Sequence, residues 1–140
     1  MESGTARVTL DLDTPERFQR LRAELGVTTF GLNLMRLQPG QRGRVHRHRE
    51  QEEVYLVVDG VLTVRTPEED LELRPWDALR VAPDVRRQLV NRGEGPVTFL
   101  AMGGAGEHVG RDGIAYDDMD APEDAGRPPQ EVPLPPDLPR

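Results

Sequence analysis

The stretch GQRGRVHRHREQEEVYLVVDG, residues 40–60, carries two histidines one residue apart, His46 and His48, with Glu53 five residues further on. In an extended strand residues i and i+2 face one side. Both imidazoles then project together, while Arg47 and Arg49 point away. Two histidines and one carboxylate form the donor set that non-heme iron sites use with coordination positions left open. Iron, manganese, nickel, cobalt and zinc all suit it. Glu52 offers the same carboxylate, but alternation allows only one of Glu52 and Glu53 onto the inward face. Tyr55 has the same parity as Glu53 and is a candidate to line the pocket, with core packing as its competing role. The run RGRVHRHR also invites reading as a phosphate-binding patch, but the acidic EQEE that follows argues against that.

The elements that must hold these side chains are short strands. Phe30, Leu32 and Leu34 alternate with Gly31, Asn33 and Met35, a period of two. EVYLVV, VLTVR, LEL, ALRV, RQLVN and VTFLAM follow, separated by DG, TPEED, RPWD, APD and NRGEG. Asp59-Gly60 between apolar runs predicts a hairpin. Many short strands at regular spacing predict an all-β antiparallel sandwich or barrel. Val8, Leu10 and Leu12 alternate with polar residues and predict a strand, a candidate edge to add to a partner's sheet. One helix is expected near 14–25, capped by Asp13 or Thr14, with Pro15 in its first turn and Gly26 ending it. Residues 1–119 read as one domain. Residues 120–140 hold seven of the 13 prolines and read as an extended tail, mobile or lying against the domain.

The stretch resembles the first motif of the cupin superfamily: Gly, five residues, His-X-His, three or four residues, Glu, six residues, Gly. The matching positions are Gly40, His46, His48, Glu53 and Gly60. The resemblance implies a small antiparallel β-barrel of jelly-roll type, often a homodimer, with a metal in the barrel mouth, and it selects Glu53 over Glu52. The second motif, Gly, five residues, Pro-X-Gly, two residues, His, three residues, Asn, is kept only at Asn91. Counting back places Arg87 at the histidine, Asp84 and Ala82 at Gly and Pro, and Trp76 at the first Gly. The resemblance covers roughly residues 30–105. Arginine has no lone pair to give a metal. Arg87 therefore either pairs with Glu53 or clamps an anionic ligand beside the metal, since its planar fork suits a carboxylate. His108 is the third histidine, in a glycine-rich segment, and reads as a surface residue. Asp117, Asp118 and Asp120 lack the spacing of a calcium loop.

The formal net charge is −7, all 18 basic residues are arginine and cysteine is absent. An acidic balance argues against nucleic acid as a partner, and no disulfide or thiolate chemistry is available. No charged segment leads into an apolar one at the N-terminus, and no apolar run reaches the length of a membrane span. A cytoplasmic protein is the expectation. A small molecule, anionic if Arg87 meets it, is the expected partner, and the resemblance implies a homodimer. Two functions compete. One is a metal-dependent enzyme, of dioxygenase type by its donor set, or of isomerase or lyase type by the resemblance. The other is a metal-free barrel that binds an anionic metabolite.

Overall fold

The computed structural model describes residues 4–14, 16–104 and 112–139. Ten strands and one short helix follow in the order β1 (Phe18–Gln19), α1 (Leu21–Leu25), β2 (Gly31–Leu37), β3 (Val45–His48), β4 (Glu52–Asp59), β5 (Leu62–Arg65), β6 (Asp70–Leu73), β7 (Ala78–Val81), β8 (Gln88–Val90), β9 (Val97–Gly104) and β10 (Gly113–Tyr116). All pairings are antiparallel. One sheet runs β1-β2-β9-β4-β7; facing it are β6-β5-β8 and β10-β3. Bridges Arg42↔Val90 and His46↔Arg87 join these last two sheets. The protein is an all-β barrel with one short helix. Inward residues from both layers, among them Leu37, Val57, Leu62, Val64, Val97 and Phe99, form its buried core. No helix among the described residues is long and apolar enough to cross a membrane.

The expected hairpin at Asp59-Gly60 is a corner instead. β4 pairs with β7 and β9, whereas β5 pairs with β6 and β8. The chain therefore changes sheets at this turn. Gly60 has φ +80, and a Cβ there would lie 2.3 Å from the Pro96 carbonyl oxygen. The glycine reads correctly as a turn residue, but a dipeptide cannot tell whether the strand it launches returns beside the first or crosses the barrel.

The N-terminal expectations also change. Residues 8–12 form no strand. The segment is tethered instead by the Gln19 amide, which donates to the Thr9 carbonyl and accepts from the Asp11 N–H. The helix covers only Leu21–Leu25, because Phe18 and Gln19 pair with Met35 and Leu34 on β2. A tertiary ladder here outweighs local helix propensity. Gly26 ends the helix at φ +75, its N–H bonded to the Ala23 carbonyl.

Residues after 120 lie against the barrel. Two single turns of 3₁₀ helix, Glu123–Ala125 and Pro129–Glu131, precede an extended run. The Arg44 Nε donates to the Val132 carbonyl (2.6 Å), the Arg42 Nε to the Pro136 carbonyl (2.8 Å) and the Leu138 N–H to the Gly40 carbonyl (2.7 Å). A proline-rich run has few N–H groups to offer a ladder, so arginine side chains supply the donors to its carbonyls. The Arg47 and Arg86 guanidiniums and the Tyr116 hydroxyl converge on Glu123.

Candidate metal centre

The alternation of β3 puts His46 and His48 on the inner face, ring centroids 5.3 Å apart and nearly perpendicular. Arg47 turns outward to Glu123 and Tyr116. Glu53 enters from β4, where it pairs with Val81 and Gly103. Gly103 makes room for it: a Cβ there would lie 2.8 Å from the Glu52 carbonyl oxygen and 3.2 Å from the Glu53 Cγ. Glu52 faces outward and pairs with Arg80.

The polar groups meet at the Glu53 Oε1. The His48 Nε2 lies 3.1 Å away, the His46 Nε2 3.5 Å and the Arg87 Nη2 3.0 Å. The Tyr55 hydroxyl donates to the same oxygen at 2.6 Å. Arg87 lies directly across from His46, the two residues exchanging both backbone hydrogen bonds (3.0 and 2.9 Å). Neighbours so paired face the same side, which brings the guanidinium to the cluster. The Arg87 side chain is 0% exposed. Its Nη1 donates to the carbonyls of Val85 (2.6 Å) and Pro83 (3.1 Å), and its Nε to the Tyr55 hydroxyl (3.4 Å). Arg87 is thus held inside the wall. Tyr55 is in the core, edge-on to Phe99, with its hydroxyl at the site.

Burial raises the Glu53 carboxyl, but the adjoining His46 and His48 rings outweigh it and hold it well below the ordinary carboxylate value. Burial, and then the Glu53 charge, push the Tyr55 phenol well above its ordinary value, so the hydroxyl stays a donor.

The donor geometry fits a transition metal. Bonds of about 2.1 Å at 90–109° to one another put donor atoms about 3.0–3.4 Å apart; the His48 nitrogen, 3.1 Å from the Glu53 oxygen, meets this, and the His46 nitrogen at 3.5 Å needs a shift of about 0.1 Å. His46, His48 and Glu53 each present one donor atom within 4.8 Å of the others. The His46 Nδ1 lies 3.1 Å from the Arg44 carbonyl, its partner as a donor. A neutral ring so bonded turns its bare Nε2 lone pair toward the carboxylate, an arrangement that requires a proton or a cation between them. The buried His48 Nε2 faces only the Glu53 Oε1 (3.1 Å), and its Nδ1 stands 3.8 Å from Asp112 without a hydrogen bond; a metal would take the Nε2 lone pair.

Behind His48 stands Asp112, a residue the sequence pattern did not single out. Its Oδ2 accepts the N–H groups of Glu50 (2.9 Å) and Gln51 (2.8 Å) and lies 3.8 Å from the His48 Nδ1. Burial raises its carboxyl, but those backbone donors outweigh the effect and hold it below the ordinary value. Sixty-odd residues of chain separate Asp112 from His48, and no local spacing links them. His108 lies outside the described residues. Asp117 takes Arg127 as its partner. Asn91 is wholly buried, and its amide donates to the Leu37 and Gly95 carbonyls. Trp76 adopts φ +74 at the third position of a turn closed by Asp77 N–H to Arg74 C=O, and is 73% exposed.

The Cupin_2 family model, described as a cupin domain, matches residues 33–103. The chain is a cupin. Among solved structures this cupin is similar to a protein from Silicibacter pomeroyi titled as a sugar phosphate isomerase from a cupin superfamily. The two are 29% identical, with a TM-score of 0.65 over 91% of this chain and 97% of that one. A cupin protein from Bacteroides fragilis is 24% identical, with a TM-score of 0.67 over 74% and 86%. A Cupin 2 conserved barrel domain protein from Salinispora arenicola is 20% identical, with a TM-score of 0.59 over 71% and 89%. The comparison with curated proteins gives no match.

Proposed function

We propose that this cupin binds a divalent transition metal through His46, His48 and Glu53 and acts on an anionic small molecule in the adjoining cavity. The observation that carries the proposal is the convergence of two imidazole nitrogens on one buried carboxylate oxygen, three donor atoms within 4.8 Å of one another. A metal held there would supply Lewis-acid or redox chemistry. The protein's own groups have separate tasks. Tyr55 and Arg87 orient the carboxylate, the Arg44 carbonyl fixes the His46 tautomer, and Asp112 backs His48. In this reading Arg87 is a positioning residue, because its donors are turned to Val85, Pro83, Tyr55 and Glu53. Among the reaction classes open to the fold, likeness to the Silicibacter pomeroyi sugar phosphate isomerase favours isomerisation; the two-histidine, one-carboxylate set favours oxygen chemistry.

One observation favours the metal-free alternative. The Arg87 Nη2 already places a cationic group 3.0 Å from the Glu53 carboxylate, where a bound metal would otherwise balance its charge. Elemental analysis separates the two readings. Protein from metal-supplemented culture should retain close to one transition-metal ion per chain, and His46→Ala and His48→Ala should lose it while staying folded. Wild-type protein that holds no metal under these conditions supports the metal-free binder instead.

A further inference from the structure

A cavity of about 460 Å³ opens beside His46, His48 and Glu53, within the size range of small-molecule sites. Its walls are mainly apolar, with Met35, Leu37, Leu89 and Ala101 from the barrel and Pro129 and Leu134 from the C-terminal segment. Two arginines also line it, Arg17 and Arg44. Several arginines elsewhere meet acids, as Arg47 and Arg86 do at Glu123 and Arg80 at Glu52; others among the described residues, Arg20, Arg22, Arg36, Arg42 and Arg49 among them, do not, but these five do not line this cavity. Arg17 and Arg44 have no carboxylate partner among the described residues. The Arg17 Nη1 donates to the Arg42 carbonyl (3.3 Å) and the Arg44 Nε to the Val132 carbonyl (2.6 Å). Both side chains are half-buried. Two guanidiniums without a carboxylate partner among the described residues, beside an apolar cavity, are an anion-binding arrangement.

We propose that Arg17 and Arg44 hold the anionic end of the ligand, and that the ligand is a small organic anion with an apolar body rather than a polyhydroxylated one. This rests on the ligand site proposed above, but not on the metal. An apolar chain gains by covering Met35, Leu37, Leu89 and Leu134. Sugar hydroxyls placed there would give up water for carbon and lose their hydrogen bonds. The C-terminal segment is part of the specificity. The bonds from Arg44 to Val132 and from Arg42 to Pro136 pin it on either side of Leu134, which covers the cavity while remaining 45% exposed.

Isothermal titration of the full chain tests this with hexanoate, hexyl phosphate, acetate and ribose 5-phosphate, before and after treatment with EDTA. Hexanoate or hexyl phosphate should bind at least tenfold tighter than acetate and ribose 5-phosphate, and the tighter of the two identifies the head group. Arg17→Gln and Arg44→Gln should each weaken that ligand by about tenfold to a hundredfold. Leu134→Asn, which removes the apolar cover without adding charge, should weaken it more than it weakens acetate; circular dichroism is to show that the variants fold. Ribose 5-phosphate binding tighter than both hexyl ligands, or arginine variants that bind like wild type, overturns the proposal. Arginine-dependent hexanoate binding that survives EDTA upholds this subsite and, together with a metal-free elemental analysis, leaves only the metal reading to fail.

Discussion

Replacing Arg87 by methionine removes a fully buried cation while keeping an unbranched apolar stem. The loss has two parts. The Glu53 carboxylate loses a positive partner at 3.0 Å, and the carbonyls of Val85 and Pro83 lose their donor. Breaking a buried pair by deleting one member costs about 3–5 kcal/mol, because the remaining charge is left uncompensated. Domains of this kind have about 5–15 kcal/mol in total. At about 2.1 cal/mol/K per residue, a chain of 140 residues should lose about 10–17 °C of Tm. The assay is urea and thermal unfolding of EDTA-treated protein, carried out as a double-mutant cycle with Glu53→Gln. The double variant has no carboxylate to strand, so its loss should fall short of the sum of the two single-variant losses by about 2 kcal/mol or more. Added zinc should stabilise Arg87→Met more than wild type, because a bound cation takes over the role of the lost guanidinium. A single-variant cost below about 1 kcal/mol, or additivity within about 0.5 kcal/mol, would refute the reasoning that Glu53 depends on Arg87.

Three further outcomes are expected. Trp76 sits at φ +74 in a turn that favours glycine and buries little; Trp76→Gly should raise stability by about 0.5–1 kcal/mol, read by circular dichroism because the sole tryptophan is lost. Hydrogen bonds from Tyr116, Arg86 and Arg47 hold the Glu123 carboxyl at about 2 against an ordinary 4.5. A depressed carboxyl stabilises fully above its unfolded value, so the Tm gap between wild type and Glu123→Gln should be constant above pH 4.5 and close as pH falls toward 2; a gap that persists at pH 2 contradicts this. Asp112→Asn should weaken metal binding by about tenfold to a hundredfold through the outer support of His48, measured by competition with a chromophoric chelator; unchanged affinity removes Asp112 from the site.

The centre was legible where the chemistry is local. His46 and His48 share a face because strand alternation is a property of consecutive residues, and Glu53 follows one turn later. Arg87 was legible only by counting back from Asn91, and its position across from His46 supports that count. What the sequence hid is long-range. Asp112 reaches His48 from some sixty residues away and Arg44 reaches Val132 across 88, and no periodicity encodes either contact. The helix was overestimated because Phe18 satisfies a helical face and a strand pairing equally well in sequence, and the ladder with β2 decides. Strand β10 went unseen because GIAY has only two large apolar residues, follows a glycine-rich segment and pairs with β3 far earlier in the chain.

X-ray absorption at the metal edge of zinc- or manganese-loaded protein is the most direct test of the centre. The account predicts a first shell of imidazole nitrogens and carboxylate oxygen at about 2.0–2.2 Å, with the imidazole scattering halved in His48→Ala. A first shell built only of oxygen, or one unchanged in His48→Ala and Glu53→Gln, would place the metal elsewhere and contradict it.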